Sequence, residues 1–245
     1  MSHSVAVITS SISRDTLRQC LESVSTQSYP CKHYVFIHGK EFWEKGDAIL
    51  SRFPDALAVY LPTNCGAGGY GMAGVYAAAP FLVKDEVVCY LDDDNWYEQT
   101  HVESLVTLID EANLGWAFSL RRIANKDGSH FCDDDGESLG PWTLSGNPVD
   151  RLVDNSCYAV KRDLATRVSH TWYMPLRSDR SFLNGLLASR QAFGCTGQST
   201  VNYRLGGGWV SPETFLQWNR LAQDKFPQGL PWRKRQTFTF GQNGI

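Results

Sequence analysis

None of the seven cysteines (Cys20, Cys31, Cys65, Cys89, Cys132, Cys157, Cys195) belongs to a CxxC pair; they are scattered and odd in number. That spacing fits neither a disulfide framework nor a structural zinc site, and it suggests small core residues in a reducing, cytoplasmic setting. Long apolar runs are missing as well. The longest, near 73–83 and 87–91, fall well short of the roughly 20 residues that cross a bilayer, so no transmembrane segment is expected. The opening MSHSVAVITSS lacks the basic-then-apolar order of a secretory leader. Positive charge is not in excess: 23 Lys and Arg face 26 Asp and Glu, a net charge of −3, which argues against a nucleic-acid partner. There is no internal repeat, low-complexity segment or long linker. No Gly-Lys-Ser/Thr follows the glycine-rich stretch at 66–74, so it is not a P-loop. Its spacing to the next acidic residues is not that of a dinucleotide fingerprint either. His33, His101 and His170 have no partner at metal-ligand spacing and read as ordinary polar residues.

What remains is a 245-residue chain with 42% hydrophobic and 20% charged residues, ordinary for one globular α/β domain. Short apolar runs alternate with amphipathic helices. SVAVITS (4–10), HYVFIHG (33–39), LAVYLP (57–62), 87–92, GWAFSLRRI (115–123), NSCYAVK (155–161) and STVNYRL (199–205) read as strands. The intervening helices include one with Leu17, Cys20, Leu21 and Val24 on one face and Ser13 as its expected cap. Another is expected to open on a Thr100–Glu103 capping box, and a third on Ser211-Pro212. This alternation predicts a mainly parallel, mixed sheet flanked by helices. Residues 124–148 read as a hairpin or loop, and the Asp133, Asp134, Asp135, Glu137 run within it as a solvated charge run.

The chain centres on VVCYLDDDNWY (87–97). Five apolar or aromatic residues run into Asp92, Asp93, Asp94 and Asn95, which predicts a strand buried on both faces with carboxylates at its carboxyl end. Strand alternation predicts that Asp92 and Asp94 point one way and Asp93 the other. Two carboxylates that close repel unless a proton or cation intervenes. Hard oxygen ligands at that spacing suit Mg²⁺ or Mn²⁺, with a diphosphate supplying further oxygens. A solvated acidic turn after a strand is the simpler alternative from these residues alone.

In order and spacing, these pieces resemble a GT-A glycosyltransferase of the family 2 type, over about residues 4 to 205. The resemblance rests on VITSSISRDTL with Thr9 and Arg14, on Asn64, Gly66 and Gly74 leading into a helix, on LDDDNWY, and on SDRSFLNGLL with Asp179. His38 and Gly39 stand where the family usually has an Asp pair, Gly71-Met72 where it has Arg-Asn, and Ser178-Asp179 where it has Glu-Asp. The resemblance implies a single Rossmann-like nucleotide-diphospho-sugar transferase domain over 1–225, followed by a tail over 226–245. Residues 1–98 would form the nucleotide-sugar half and 99–225 the acceptor half. It implies donor contacts from Thr9, Arg14, His38, Asn64, Gly66, Gly74, Asp92 and Asp93. Metal ligation would fall to Asp94 with Asp92, and general-base work to Asp179. Trp96, Tyr97, Asp154 and Trp209 are weaker candidates on the acceptor side.

The expected activity is an inverting, metal-dependent sugar transfer from a nucleotide-diphosphate donor, UDP-sugars favoured, to a glycan or lipid-linked hydroxyl. The setting is cytoplasmic, with peripheral attachment to a membrane left open. The residues leave alternatives: Asp179 as a helix cap, the glycines as close-packing devices, and each aromatic as core. GGGWVSPE (206–213) reads as a candidate lid. At the level of the whole chain, a nucleotidyltransferase or a non-catalytic nucleotide- or sugar-binding module derived from the same fold also stays open. The former is disfavoured because the turn after the first strand has no glycine.

Overall fold

The structure is a computed structural model that describes residues 3–206 and 210–240. Its elements run β1 (Val5–Ser11), α1 (Leu17–Ser25), β2 (Lys32–His38), α2 (Trp43–Leu50), β3 (Ala56–Leu61) and α3 (Ala73–Leu82). Next come β4 (Val87–Tyr90), β5 (Trp96–Tyr97), α4 (His101–Glu111), β6 (Trp116–Ala124), β7 (His130–Asp133) and β8 (Tyr158–Lys161). The last are α5 (Arg162–Val168), α6 (Ser178–Ala188), β9 (Phe193–Arg204), α7 (Pro212–Lys225) and β10 (Gln236–Phe238).

One sheet organises the chain, in the order β10-β9-β6-β8-β4-β1-β2-β3, with β5 added to β9 and β7 to β6. Strands β3, β2, β1 and β4 are mutually parallel, as are β6 and β9, whereas β8 runs antiparallel to both β4 and β6. This mixed, helix-flanked α/β sheet is the GT-A, Rossmann-like architecture expected. Every residue of β1 and β4 is buried, because helices cover both faces of a parallel region and leave no solvent side for polar residues. α1 turns Leu17, Cys20, Leu21 and Val24 inward, the i, i+3, i+4, i+7 stripe of a core-facing helix.

Chain order and sheet order part company at β1. From there β2 and β3 extend to one side, and β4 lies on the other. In open α/β sheets such a switch point leaves a crevice at the carboxyl ends of the two central strands. The segments following β1 and β4 carry Arg14 and the three aspartates.

Local expectations fail where a distant partner intervenes. Ser13 does not cap α1: it adopts φ 60° and its hydroxyl donates to the Phe42 carbonyl. The Thr100–Glu103 box does not close, since Glu103 accepts instead from Ser28 Oγ at 2.7 Å. Ser211 does cap α7, accepting from the Thr214 N–H. The segment from Phe226, read as a tail, supplies β10 on the edge of β9 and buries Trp232 completely. None of the helices among the described residues is long and apolar enough to cross a membrane, and the seven cysteines are all free thiols.

Candidate functional site

A cleft of roughly 270 Å³ opens at the switch point. Ser10, Ile12 and Arg14 enter it from the end of β1 and the turn beyond, His38 from the end of β2, and Asp92–Asp94 from the end of β4. The loop between β3 and α3 closes one side with Asn64, Gly66, Ala67, Gly71 and Met72. Seven of the residues singled out in the sequence (Arg14, His38, Asn64, Gly66, Asp92, Asp93, Asp94) therefore meet in one place.

The aspartates do not follow strand alternation. Strand pairing of β4 stops at Tyr90, and the Asn95 N–H bonds back to the Asp92 carbonyl at 3.1 Å, so the acidic run is a turn. Arg14 Nη1 consequently reaches both Asp94 (2.8 Å) and Asp93 (3.3 Å). Asp92 points the other way, accepting from Tyr76 OH at 3.0 Å and Asn155 Nδ2 at 2.7 Å. Asp93 also accepts from Ser11 Oγ at 2.6 Å. Arg204 braces the turn through the Asp94 carbonyl at 3.0 Å.

Burial and crowding disfavour three negative charges here. Burial first, then the Asp94 and Asp154 carboxylates, push Asp92 well above the ordinary carboxylate range. Burial lifts Asp93 to about 6 against the pull of Arg14 and Ser11, and raises Asp94 against Arg14. Such a site favours a cation or a proton.

The described residues contain no group of three or more His, Cys, Asp or Glu side chains arranged to enclose a metal. Asp92, Asp93 and Asp94 all line the cleft, Asp92 and Asp94 half-buried and Asp93 buried. That donor set fits Mg²⁺ or Mn²⁺, which take one or two carboxylates and draw other oxygens from phosphates and water.

The loop opposite is shaped by backbone proximity. A Cβ on Gly66 would lie 2.6 Å from the Gly71 carbonyl oxygen and 3.1 Å from His38 Cε1, so glycine is required there for the loop to fold back on itself. Asn64 Oδ1 accepts from the Gly66 N–H at 3.0 Å and stands 3.1 Å from His38 Nδ1.

No family model matches the chain. A stretch of 58 residues is 40% identical to an uncharacterized protein of Haemophilus influenzae, covering 24% of this chain and 39% of that protein. Among solved structures, S. aureus TarS 1–349 in complex with UDP-GlcNAc superposes with a TM-score of 0.63 at 16% identity. That match covers 91% of this chain and 66% of the TarS fragment. The same fragment in complex with UDP gives 0.60, also at 16% identity, over 89% of this chain and 64% of that one. S. aureus TarS itself gives 0.59 at 16% identity, over 91% of this chain and 40% of that one. The chain thus spans less than two thirds of each of these proteins. At such identity the likeness establishes the fold.

Several sequence candidates lie elsewhere. Thr9 is fully buried and bonded to His33 Nε2 at 2.8 Å, not open to the cleft; its neighbour Ser10 takes that position. Gly74 sits in α3 against Cys65. Tyr97 is a core residue, with its hydroxyl on the Tyr90 carbonyl at 2.6 Å and its ring stacked on His101. Trp96 is half-buried beneath the Arg204 guanidinium. Trp209, with part of the candidate lid, lies outside the described residues.

Asp179 lies in the first turn of α6, whose N-cap position is held by Arg177 without a side-chain bond, so it is not the cap residue; Oδ1 accepts from the Arg180 N–H at 2.7 Å. Burial raises its pKa, that N–H opposes the rise, and Asp154 adds to it. Asp154 is engaged by Arg121 at 2.5 Å.

The second acidic run is not a solvated loop. Arg121, 3% exposed on β6, also binds Asp134 at 2.7 Å and Glu137 at 2.6 Å. Asp134 is fully buried. Burial works against its charge, but Arg121 and backbone N–H groups prevail, and its pKa falls. Sequence reasoning overlooked Ser10, Ser11, Tyr76, Asn155 and Arg204. Only the serines carried a local signal, as polar residues at the end of a buried strand.

Proposed function

We propose that the chain is an inverting glycosyltransferase that moves a sugar from a nucleotide-diphosphate donor, UDP-sugars favoured, to a hydroxyl of a glycan or lipid-linked acceptor. The observation that carries this reading is the cleft at the carboxyl ends of β1 and β4, where Asp92, Asp93 and Asp94 converge with Arg14. The fold shared with TarS structures holding UDP-GlcNAc and UDP supports a nucleotide-sugar as the ligand.

Asp94 and Asp92 would hold a divalent cation, Mn²⁺ or Mg²⁺, which supplies charge neutralisation for a departing diphosphate. Arg14 neutralises Asp93 and Asp94 and keeps the acidic turn in place. Tyr76 and Asn155 fix the Asp92 carboxylate through hydrogen bonds of 3.0 and 2.7 Å. Such fixed groups need little reorganisation as charge develops.

Inversion requires a base on the acceptor side. Asp179, which the family resemblance puts in this role, is the choice; it is not among the residues lining the cleft, and burial raises its pKa. The acceptor hydroxyl transfers its proton to Asp179 as its oxygen forms the new bond to the anomeric carbon. The bond from that carbon to the diphosphate breaks, and its electron pair leaves with the nucleotide.

The test is release of nucleoside diphosphate from a panel of sugar nucleotides with Mn²⁺, scored with and without glycan acceptors. Turnover of one donor supports the reading, and a chain that neither turns over nor is thermally stabilised by any donor rejects it. A binding module without turnover is the second reading. It is favoured by Arg14, which already occupies Asp93 and Asp94; stabilisation by donors without any release would identify it.

A further inference from the structure

α3 is apolar all the way round: Ala73–Leu82 includes no charged side chain. One face, with Val75, Tyr76 and Ala79, is buried against the core. The opposite face sets Gly74, Ala77, Ala78 and Phe81 at the i, i+3, i+4, i+7 spacing of a single stripe, which runs out to Phe81 at 63% exposure with Leu82 beside it. A helix facing water ordinarily carries charged or polar residues on that side.

The stripe continues into the segment before α6. Tyr173, Met174, Pro175 and Leu176 are exposed in succession, Leu176 at 71%. The Tyr173 ring lies over Gly74 and stacks on Tyr70 with centroids 4.8 Å apart. Leu176 donates its N–H to the Gly69 carbonyl at 3.4 Å and has a left-handed backbone, φ 61°, which leucine adopts only at a cost. Of the nine large apolar side chains exposed among the described residues, five (Phe81, Leu82, Tyr173, Met174, Leu176) lie here, a concentration that marks an interaction surface.

Positive charge surrounds the patch. Lys84 follows α3, Arg167 ends α5, which packs on α3, and Arg177 follows Leu176. All three are exposed, and none pairs with an acid among the described residues. Of the acids beside them in sequence, Asp85 is held by Lys32 at 2.9 Å, Asp163 by Arg162 at 3.4 Å, and Asp179 by the Arg180 N–H. Residues 164–190 carry four arginines and one aspartate in a chain whose net charge is −3.

We propose that this patch seats the chain on an anionic bilayer, with Phe81, Met174 and Leu176 entering the acyl boundary and Lys84, Arg167 and Arg177 at the headgroups. Tyrosine and basic residues around exposed Leu, Phe and Met have the composition of an interfacial anchor, and the unpaired cations complement anionic lipid. A second copy of the chain is the poorer occupant, because a two-fold contact sets the patch against itself and brings its cations together. The inference rests on the lipid-linked acceptor of the reading above and deepens it. The patch adjoins both the β3–α3 loop that walls the cleft and the start of α6, which carries Asp179, so a chain seated this way meets such an acceptor from the membrane side.

The test is flotation of the full chain with vesicles of phosphatidylcholine alone and of phosphatidylcholine mixed with phosphatidylglycerol, at low and high salt. Binding is expected to the mixed vesicles and to weaken with salt. Leu176→Asn combined with Phe81→Gln is expected to weaken it by about 10- to 100-fold; asparagine adopts the left-handed backbone readily, so the loop is kept. Arg167→Gln with Arg177→Gln is expected to weaken it by about 10- to 30-fold. No vesicle binding, equal binding to both compositions, or variants that bind like the parent overturns the inference. So does a dimer, seen by sedimentation, that the apolar variant loses while no vesicle is bound. Nucleoside diphosphate release in solution is scored separately: turnover without vesicle binding strikes this inference alone, and vesicle binding without turnover strikes the proposed function and leaves the bilayer surface standing.

Discussion

Arg14 Nη1 lies 2.8 Å from Asp94 and 3.3 Å from Asp93, so one guanidinium from the turn after β1 ties together two carboxylates of the turn after β4. The two strands flank the switch point of the sheet, and this pair of contacts joins its two halves across the cleft. Asp94 is the more accessible of the two aspartates, with 29% of its side chain exposed against 6% for Asp93.

Asp94→Ala is therefore expected to leave the fold intact and reduce transfer by about 10²–10³-fold, as removal of a placed electrostatic group does. Chelation with EDTA is expected to abolish transfer, and Mn²⁺ to restore it in the parent chain only. Nucleoside diphosphate release measures both, and near-parent turnover by Asp94→Ala would reject its role as a metal ligand.

Asp179→Asn keeps the shape of the side chain and its bond to the Arg180 N–H but removes the basic oxygen. Turnover is expected to drop by about 10²–10⁴-fold, with donor affinity unchanged. Retained turnover would mean that Asp179 serves only the start of α6.

The two glycines of the same motif are expected to respond oppositely to alanine. Gly66→Ala drives a methyl to 2.6 Å from the Gly71 carbonyl, whereas at Gly74 the nearest atom is Cys65 Cβ at 3.4 Å, an ordinary contact. Gly66→Ala should weaken nucleotide binding by misplacing the loop. Gly74→Ala, inside α3, should be neutral or stabilise by up to about 1 kcal/mol, since alanine is the better helix former. Urea unfolding and nucleotide titration of both variants check this.

Arg121→Leu leaves Asp134, Asp154 and Glu137 facing one another without their shared cation. Removal of one partner from a buried ionic cluster costs about 3–5 kcal/mol, so the urea midpoint should fall sharply. A variant within about 1 kcal/mol of the parent would show that the cluster is dispensable.

His33 is buried beside Thr9, and burial depresses its pKa to about 3. The unfolded ring titrates near its ordinary value of about 6.5. Below that pH the unfolded chain binds the extra proton and the folded chain does not, so the contribution of His33 to stability falls. It is fully present above pH 6.5 and lost progressively down to about pH 3, by at most about 1.4 kcal/mol per pH unit. The stability difference between the parent and His33→Phe should be flat above pH 7 and shift against the parent as pH drops to 5. A difference independent of pH would contradict this.

The apolar period of the segments was enough to fix most of the strands and helices, and with them the fold class. β1 and β4 are short buried runs, α1 an amphipathic stripe, and α7 a Ser-Pro start, and each of these is decided by neighbours within a few residues. The acid-tipped strand at 87–94 was likewise visible as a run of residues. Tertiary structure alone decided what lies across from each residue. Asp92–Asp94 and Asp133–Glu137 look alike as charge runs, yet one lines a cleft and the other wraps a buried arginine, because Arg121 sits on a strand that only sheet pairing brings to Asp134 and Asp154. Thr9 and Ser10 are adjacent and both polar, yet opposite faces of one strand send the first into the core and leave the second on the cleft. Periodicity reports which side of an element is buried. The identity of the partner on that side is set by contacts between residues far apart in the chain, which no local pattern encodes.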